Sequence, residues 1–169
     1  MDAHRTASLR HAPLYSPDER RRRDASAWTV VQGVLAPLQF VVCAISAVLV
    51  LRWLATGEGL AAADASFVVK CVLLFTIMVT GSVWEKVVFG RWLFAPAFFW
   101  EDVVSMGVIA LHLLCLVAMA TGWFGTSGRL SLVLAAYALY VVNAVQFVLK
   151  LRAARRADAR ASVTSGVAA

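Results

Sequence analysis

"AWTVVQGVLAPLQFVVCAISAVLVL", residues 27–51, holds no charged side chain. A helix crosses the hydrocarbon core of a bilayer in about 20 residues, so this run is long enough to span. Three more charge-poor stretches follow at 66–84, 103–121 and 130–149, with Lys70 the one cation inside them. The apolar–polar alternation of a membrane β-barrel is absent. With 61% of residues apolar and 15% charged, the chain departs from the composition of soluble domains. The expected fold is all-α: a polytopic membrane protein whose four transmembrane helices form one bundle over residues 27–149, without internal repeats.

The flanks orient the bundle. Arg5, Arg10 and Arg20 to Arg23 precede the first span, Lys86 and Arg91 separate the second from the third, and Lys150, Arg152, Arg155, Arg156 and Arg160 follow the fourth. Apart from Lys70, only Arg52 and Arg129 lie elsewhere. The positive-inside rule then places both termini and the central connector in the cytoplasm, in a multi-pass arrangement. Net charge of +6 does not point to nucleic acid, because the cations gather at one membrane face, where anionic lipid accounts for them. In the polar leader, residues 1–26, Ser16, Pro17 and Glu19 form a capping-box pattern with proline at the first helical position, which predicts a short interfacial helix. The apolar run after it is too long for a signal-peptide core and reads as a retained span. Residues 150–169 are basic and rich in small side chains, and read as a frayed cytoplasmic tail.

Cys43, Cys71 and Cys115 are solitary and lie within spans, so they read as small apolar side chains rather than metal ligands or disulfide partners. There is no glycine-rich phosphate loop. A bis-histidine haem needs several intramembrane histidines, and His112 is the single one there, His4 and His11 being in the leader. No redox or nucleotide cofactor is expected.

Polar groups are costly inside a membrane and usually face the bundle interior. Gln32, Glu85, Glu101, Asp102, Ser105, Asn143 and Gln146 all fall at one depth, the cytoplasmic third, and come from all four spans. On the third span Glu101, Ser105, Val108, His112 and Cys115 lie within roughly 40° of one line at helical pitch. Gln32, Gln39, Cys43 and Ser46 share a face of the first. For Gln39, Ser46 and Tyr140 interhelical hydrogen bonding is the simpler reading; for the carboxylates a functional role is, since structural contacts rarely need ionisable groups there. Between the spans, "VWEKVVFGRWLFAPAFFWEDVVSM", residues 83–106, sets ionisable groups among large rings. Trp84, Trp92 and Trp100 fit an aromatic interfacial belt, and Lys86 and Arg91 fit lipid phosphate. Taken together, rings, cations and carboxylates also fit a flat amphipathic ligand with an anionic tail, such as a porphyrin-like macrocycle. Pro96 marks the expected start of the third helix.

"SPDERRRRDASAWTVVQGVLAPLQF", residues 16–40, "TIMVTGSVWEKVVFGRWLFAPAFFWEDVVSM", residues 76–106, and "YVVNAVQFVLKLRAAR", residues 140–155, closely resemble the 3-vinyl bacteriochlorophyllide hydratase family (BchF). The resemblance runs from about Tyr15 to Arg155. It implies a hydro-lyase that adds water to the C3 vinyl group of a chlorophyllide or bacteriochlorophyllide, giving the 3-(1-hydroxyethyl) product on the way to bacteriochlorophyll a. The implied partner is that tetrapyrrole, beside the lipid bilayer that the spans require, with contacts to other enzymes of pigment biosynthesis left open, and magnesium arrives with the substrate. A non-catalytic pigment-binding or assembly protein is the alternative. A carrier is disfavoured, because its charges should spread through the membrane depth.

Alkene hydration needs a proton donor at the terminal carbon, then a base or a held water at the resulting cation. If the second helix ends near Glu85, the negative end of its dipole disfavours the Glu85 anion and suits a donor; if that helix runs on to Phe89, the assignment reverses. Glu101 and Asp102, in the first turn of the third helix, suit the base, Glu101 by its interior stripe, Asp102 with pairing to Lys86 or Arg91 as its other role. Lys86 and Arg91 are candidates to hold the propionate, and Trp84, Trp100, Gln32 and Asn143 to line the ring site. His112, about 16 Å along the axis from Glu101, is open to three roles: axial ligand to the substrate magnesium, proton relay, or a link between helices.

Overall fold

The computed structural model describes residues 14–167, with side chains to Arg156; Arg5, Arg10, His4 and His11 lie outside this range. Five helices account for almost all of it: α1 (Pro17–Ala25), α2 (Ala27–Thr56), α3 (Leu60–Phe89), α4 (Phe99–Thr121) and α5 (Gly125–Val167). Among the described residues there is no strand. The last four are long and apolar enough to cross a membrane, and the chain is a multi-pass membrane protein.

Local chemistry sets the boundaries. The capping box forms as read: Ser16 N–H donates to Glu19 Oε2 at 2.7 Å, Glu19 N–H donates to Ser16 Oγ at 3.3 Å, and Pro17 takes the first turn, where its missing N–H costs nothing. Ser26 caps α2 in turn, accepting from Trp28 N–H. Gly57 and Gly90 end α2 and α3 in the left-handed conformation, which a side chain would resist.

α2 packs along α3 and α4 along α5; α2 also meets α5, α3 meets α4, and α1 lies against α3. Phe67, Leu74, Val108, Leu130 and Val133 fill the interior, while Val30, Val34, Val48, Val72, Val79 and Val142 face outward, a lipid-facing surface. Lipid tails are as apolar as leucine, so helix association depends on close packing and interhelical hydrogen bonds, each contributing under about 2 kcal/mol. Ser46 bonds Tyr137 at 2.6 Å and Ser66 at 2.7 Å, which is the linking role read for it. Gln32 Nε2 donates to Thr80 Oγ1 at 2.8 Å, and Asn143 Nδ2 to Ser105 Oγ at 2.8 Å. At the end of the bundle away from the Glu85 connector, Arg129 grips Asp64 with two hydrogen bonds of 2.6 and 3.0 Å, tying α5 to α3.

Three expectations need correction. The helices overrun the apolar runs, because Arg52, Asp64, Lys86 and Glu101 end a charge-free stretch without breaking a helix. Residues 150–167 continue α5 instead of fraying; alanine and arginine are strong helix formers, and no proline interrupts them. Pro96 does not open α4. It sits in a turn closed by Phe98 N–H donating to Ala95 O at 2.8 Å, and helix begins at Phe99.

Candidate active site

The connector 90–98 decides the site. Phe94 has φ of 57°, a left-handed backbone that costs a residue with a side chain roughly 1–2 kcal/mol. That turn aims two successive amides at two acids: Phe94 N–H donates to Asp102 Oδ2 at 2.8 Å, and Ala95 N–H donates to Glu85 Oε2 at 3.2 Å. The two carboxyls are close neighbours, and two buried carboxyls side by side are at lowest cost with one proton between them. Both are buried, at 5% and 3% exposure. Sparsely populated backbone of this kind persists where its surroundings enforce it.

Glu85 and Asp102 form one wall of a cavity of about 320 Å³, inside the range of about 300–1,000 Å³ typical of small-molecule sites. The other walls are chiefly apolar: Phe40, Leu74, Met78, Trp84, Phe98 and Phe147 come from α2, α3, α5 and the connector. Gln32, Ser105, Tyr140 and Asn143 supply the remaining polar groups. Asn143 commits its amide N–H to Ser105, and its Oδ1 accepts no hydrogen bond among the described residues although buried. An acceptor left over in the lining of the same cavity as two acids suits a held water.

The sequence-read residues divide. Glu85, Asp102, Trp84, Gln32 and Asn143 meet at the cavity. Glu101 does not line it: its carboxylate turns to α5 and pairs with Lys150 Nζ at 2.5 Å, so Asp102 takes the position read for Glu101. Asp102 pairs with neither Lys86 nor Arg91. Lys86 is exposed and donates to Gly90 O at 3.0 Å. Arg91 is exposed, without an ion pair among the described residues. Trp100 is 70% exposed, edge-on to Phe99. None of these three lines the cavity. α3 reaches Phe89, the case in which the dipole argument reverses the roles of the acids, so that argument no longer supports Glu85 as the donor.

His112 is fully buried but outside the cavity. Its Nδ1 bonds Val108 O at 2.8 Å, and its ring clusters with those of Phe67 and Tyr137. His112 is not among the residues lining the cavity, and its Nε2 has no hydrogen-bond partner among the described residues. Lys70, read as lying inside a span end, is wholly buried: Nζ donates to Gln39 Oε1 at 2.5 Å and sits 3.6 Å from the centroid of the Tyr140 ring. The rule that polar groups in spans face inward applies to it as to the acids, and was the available signal. Lys70 therefore underlies a cavity wall through Tyr140.

Comparison with known proteins supplies the chemistry. A family described as "2-vinyl bacteriochlorophyllide hydratase (BCHF)" matches residues 15–153. A 2-vinyl bacteriochlorophyllide hydratase of Cereibacter sphaeroides is 63% identical over 145 residues, covering 86% of this chain and 90% of the relative. One of Rhodobacter capsulatus is 60% identical over 142 residues, covering 84% and 82%. No solved structure matches the chain.

Proposed function

The chain belongs to the 2-vinyl bacteriochlorophyllide hydratase family, and from that premise we propose that it adds water across the ring-bound vinyl group of a chlorophyllide or bacteriochlorophyllide held in the Glu85–Asp102 cavity. (The vinyl carbon is numbered 2 or 3 according to the ring scheme.) One observation carries the assignment to this site: two neighbouring buried acids, each held by a connector amide, at the wall of an otherwise apolar cavity. The arrangement supports a proton donor and a water-holding acceptor side by side, which is what hydration requires.

The proton goes to the terminal vinyl carbon, and the electron pair of the double bond forms the new C–H bond. The adjoining carbon is left as a cation that the conjugated ring disperses. Water adds there and gives up a proton, so the net change is one water gained. Asp102 lies in the first turn of α4, where the helix dipole favours an anion, and accepts the shorter amide bond. Glu85 accepts the longer one and carries the shared proton. Glu85 is thus the donor on grounds independent of where α3 ends, and Asp102 with Asn143 holds the water. The reaction consumes no electrons, and the magnesium belongs to the substrate. Both termini and the connector face the cytoplasm of a bacterial inner membrane, where the flanking arginines meet anionic headgroups.

Incubating membranes that contain the protein with 3-vinyl chlorophyllide and with 3-vinyl bacteriochlorophyllide tests the proposal and ranks the two. The expected product is heavier by one water, without added cofactor. Pigment that binds and returns unchanged would favour the assembly-protein alternative. The division of the acids makes a second prediction. Glu101 is engaged with Lys150, a partly exposed pair contributing at most about 1 kcal/mol, so Glu101→Gln should keep turnover within about fivefold of wild type. A loss as deep as that of Asp102→Asn in the same assay would return Glu101 to the site.

A further inference from the structure

Beside the apolar cavity lies a second chamber of about 300 Å³ whose lining includes Tyr15, Arg23, Asp24 and Arg155. Trp84 and Leu151 belong to the walls of both chambers, so the two are neighbours across a shared partition. Their characters differ sharply: one is greasy with a pair of acids, the other holds two guanidiniums against one carboxylate. Arg23 is fixed in place. Its Nε donates to Asp24 Oδ1 at 2.8 Å, and its guanidinium stands 4.6 Å from the Tyr15 ring centroid. Arg155 projects from α5 with no ion pair or hydrogen bond among the described residues. Asp24 offsets one of the two cations, so the chamber keeps a net positive charge and a free fork of donors.

We propose that this chamber binds the propionate carboxylate of the tetrapyrrole, with Arg155 as the principal contact and Arg23 beside it; the inference rests on the tetrapyrrole reading of the neighbouring cavity. A flat ring in the first chamber sends an acidic arm past Trp84 and Leu151 into the second. Guanidinium is the group best matched to a carboxylate, because its planar fork donates two parallel hydrogen bonds. Lys86 and Arg91, on the outer side of the connector, line neither chamber. Holding the arm at this end also fixes which edge of the ring reaches the acids, so Arg155 is a positioning and affinity residue rather than a catalytic one.

The test uses full-length protein in a non-ionic detergent and reads binding by quenching of tryptophan fluorescence. The probes are a chlorophyllide whose vinyl group has been reduced to ethyl, which cannot be hydrated, and its propionate methyl ester. Wild type should bind the acid about tenfold more tightly than the ester, the effect of one charge-assisted contact. Arg155→Ala should bind both equally, at the ester's affinity. Arg155→Lys should keep part of the preference, and Arg91→Ala all of it. Arg155 is exposed and alanine favours helix, so the variant should fold; its circular dichroism checks this. Equal binding of acid and ester by wild type overturns the proposal while leaving the tetrapyrrole reading intact. So does added phosphatidylglycerol binding in an Arg155-dependent way while acid and ester bind alike, since the chamber is then a lipid-phosphate site. A wild-type chain that binds neither pigment overturns both readings.

Discussion

Glu85→Gln should lower the rate of water addition by about 100- to 10,000-fold, the usual contribution of a positioned proton donor or acceptor. The substitution keeps the shape of the side chain, and its amide oxygen can still accept from Ala95 N–H as Glu85 Oε2 does at 3.2 Å. What disappears is the proton that two facing carboxyls must share. The wild-type rate should fall on the alkaline side, as the pair loses that proton. In Glu85→Gln the alkaline fall should vanish, because the residual rate draws on water. A Glu85→Gln enzyme that retains the alkaline fall would assign the donor elsewhere, with Asp102 as the nearest candidate. Pigment affinity should change little, since the cavity walls are mostly apolar. A large loss of binding with normal turnover at saturation would count against the catalytic reading.

Arg129→Ala should destabilise the folded bundle by about 3 kcal/mol, the lower part of the range for breaking a buried ion pair. Arg129 is nearly enclosed, with 8% of its side chain exposed against 26% for Asp64. Removing the guanidinium leaves a carboxylate short of two donors at the end of the bundle. The measurement is the thermal midpoint in detergent micelles. The double substitution Asp64→Asn with Arg129→Gln should recover much of the loss, because no unpaired charge remains. Asp64 and Glu85 are 21 positions apart on one helix, about 30 Å along its axis. Turnover per folded molecule should therefore stay near wild type. A fall in turnover without a fall in the midpoint would mean that this far ion pair is coupled to the acids.

How much of this was legible in the sequence follows from what each feature depends on. The four crossings depend on runs without charge, and a run such as residues 27–51 announces itself. The interior stripe of α4 depends only on helical pitch, and Ser105, Val108, His112 and Cys115 are all buried as read. The choice between Glu101 and Asp102 depends on something else. They are neighbours about 100° apart on the helix, both buried, and what separates them is the placement of partners: connector amides for one, Lys150 for the other. Those amides point inward because Phe94 adopts a left-handed backbone, and phenylalanine carries no sequence signal for that conformation. Lys86 and Arg91 looked like site residues from their neighbours in the chain, but the connector folds the acids inward and leaves these cations outside. Lys70 shows the reverse. Its burial was implied by the same cost argument used for the carboxylates, and the pairing with Gln39 and the Tyr140 ring is how that cost is met.

The left-handed turn at Phe94 has a consequence for how the protein can vary. Surface loops usually accept insertions and deletions readily. Here successive peptide groups each hold a different acid, so adding or removing one residue between Gly90 and Phe98 would shift the register and release at least one of them. Related chains should therefore differ freely in the identity of the exposed residues along this segment while conserving its length.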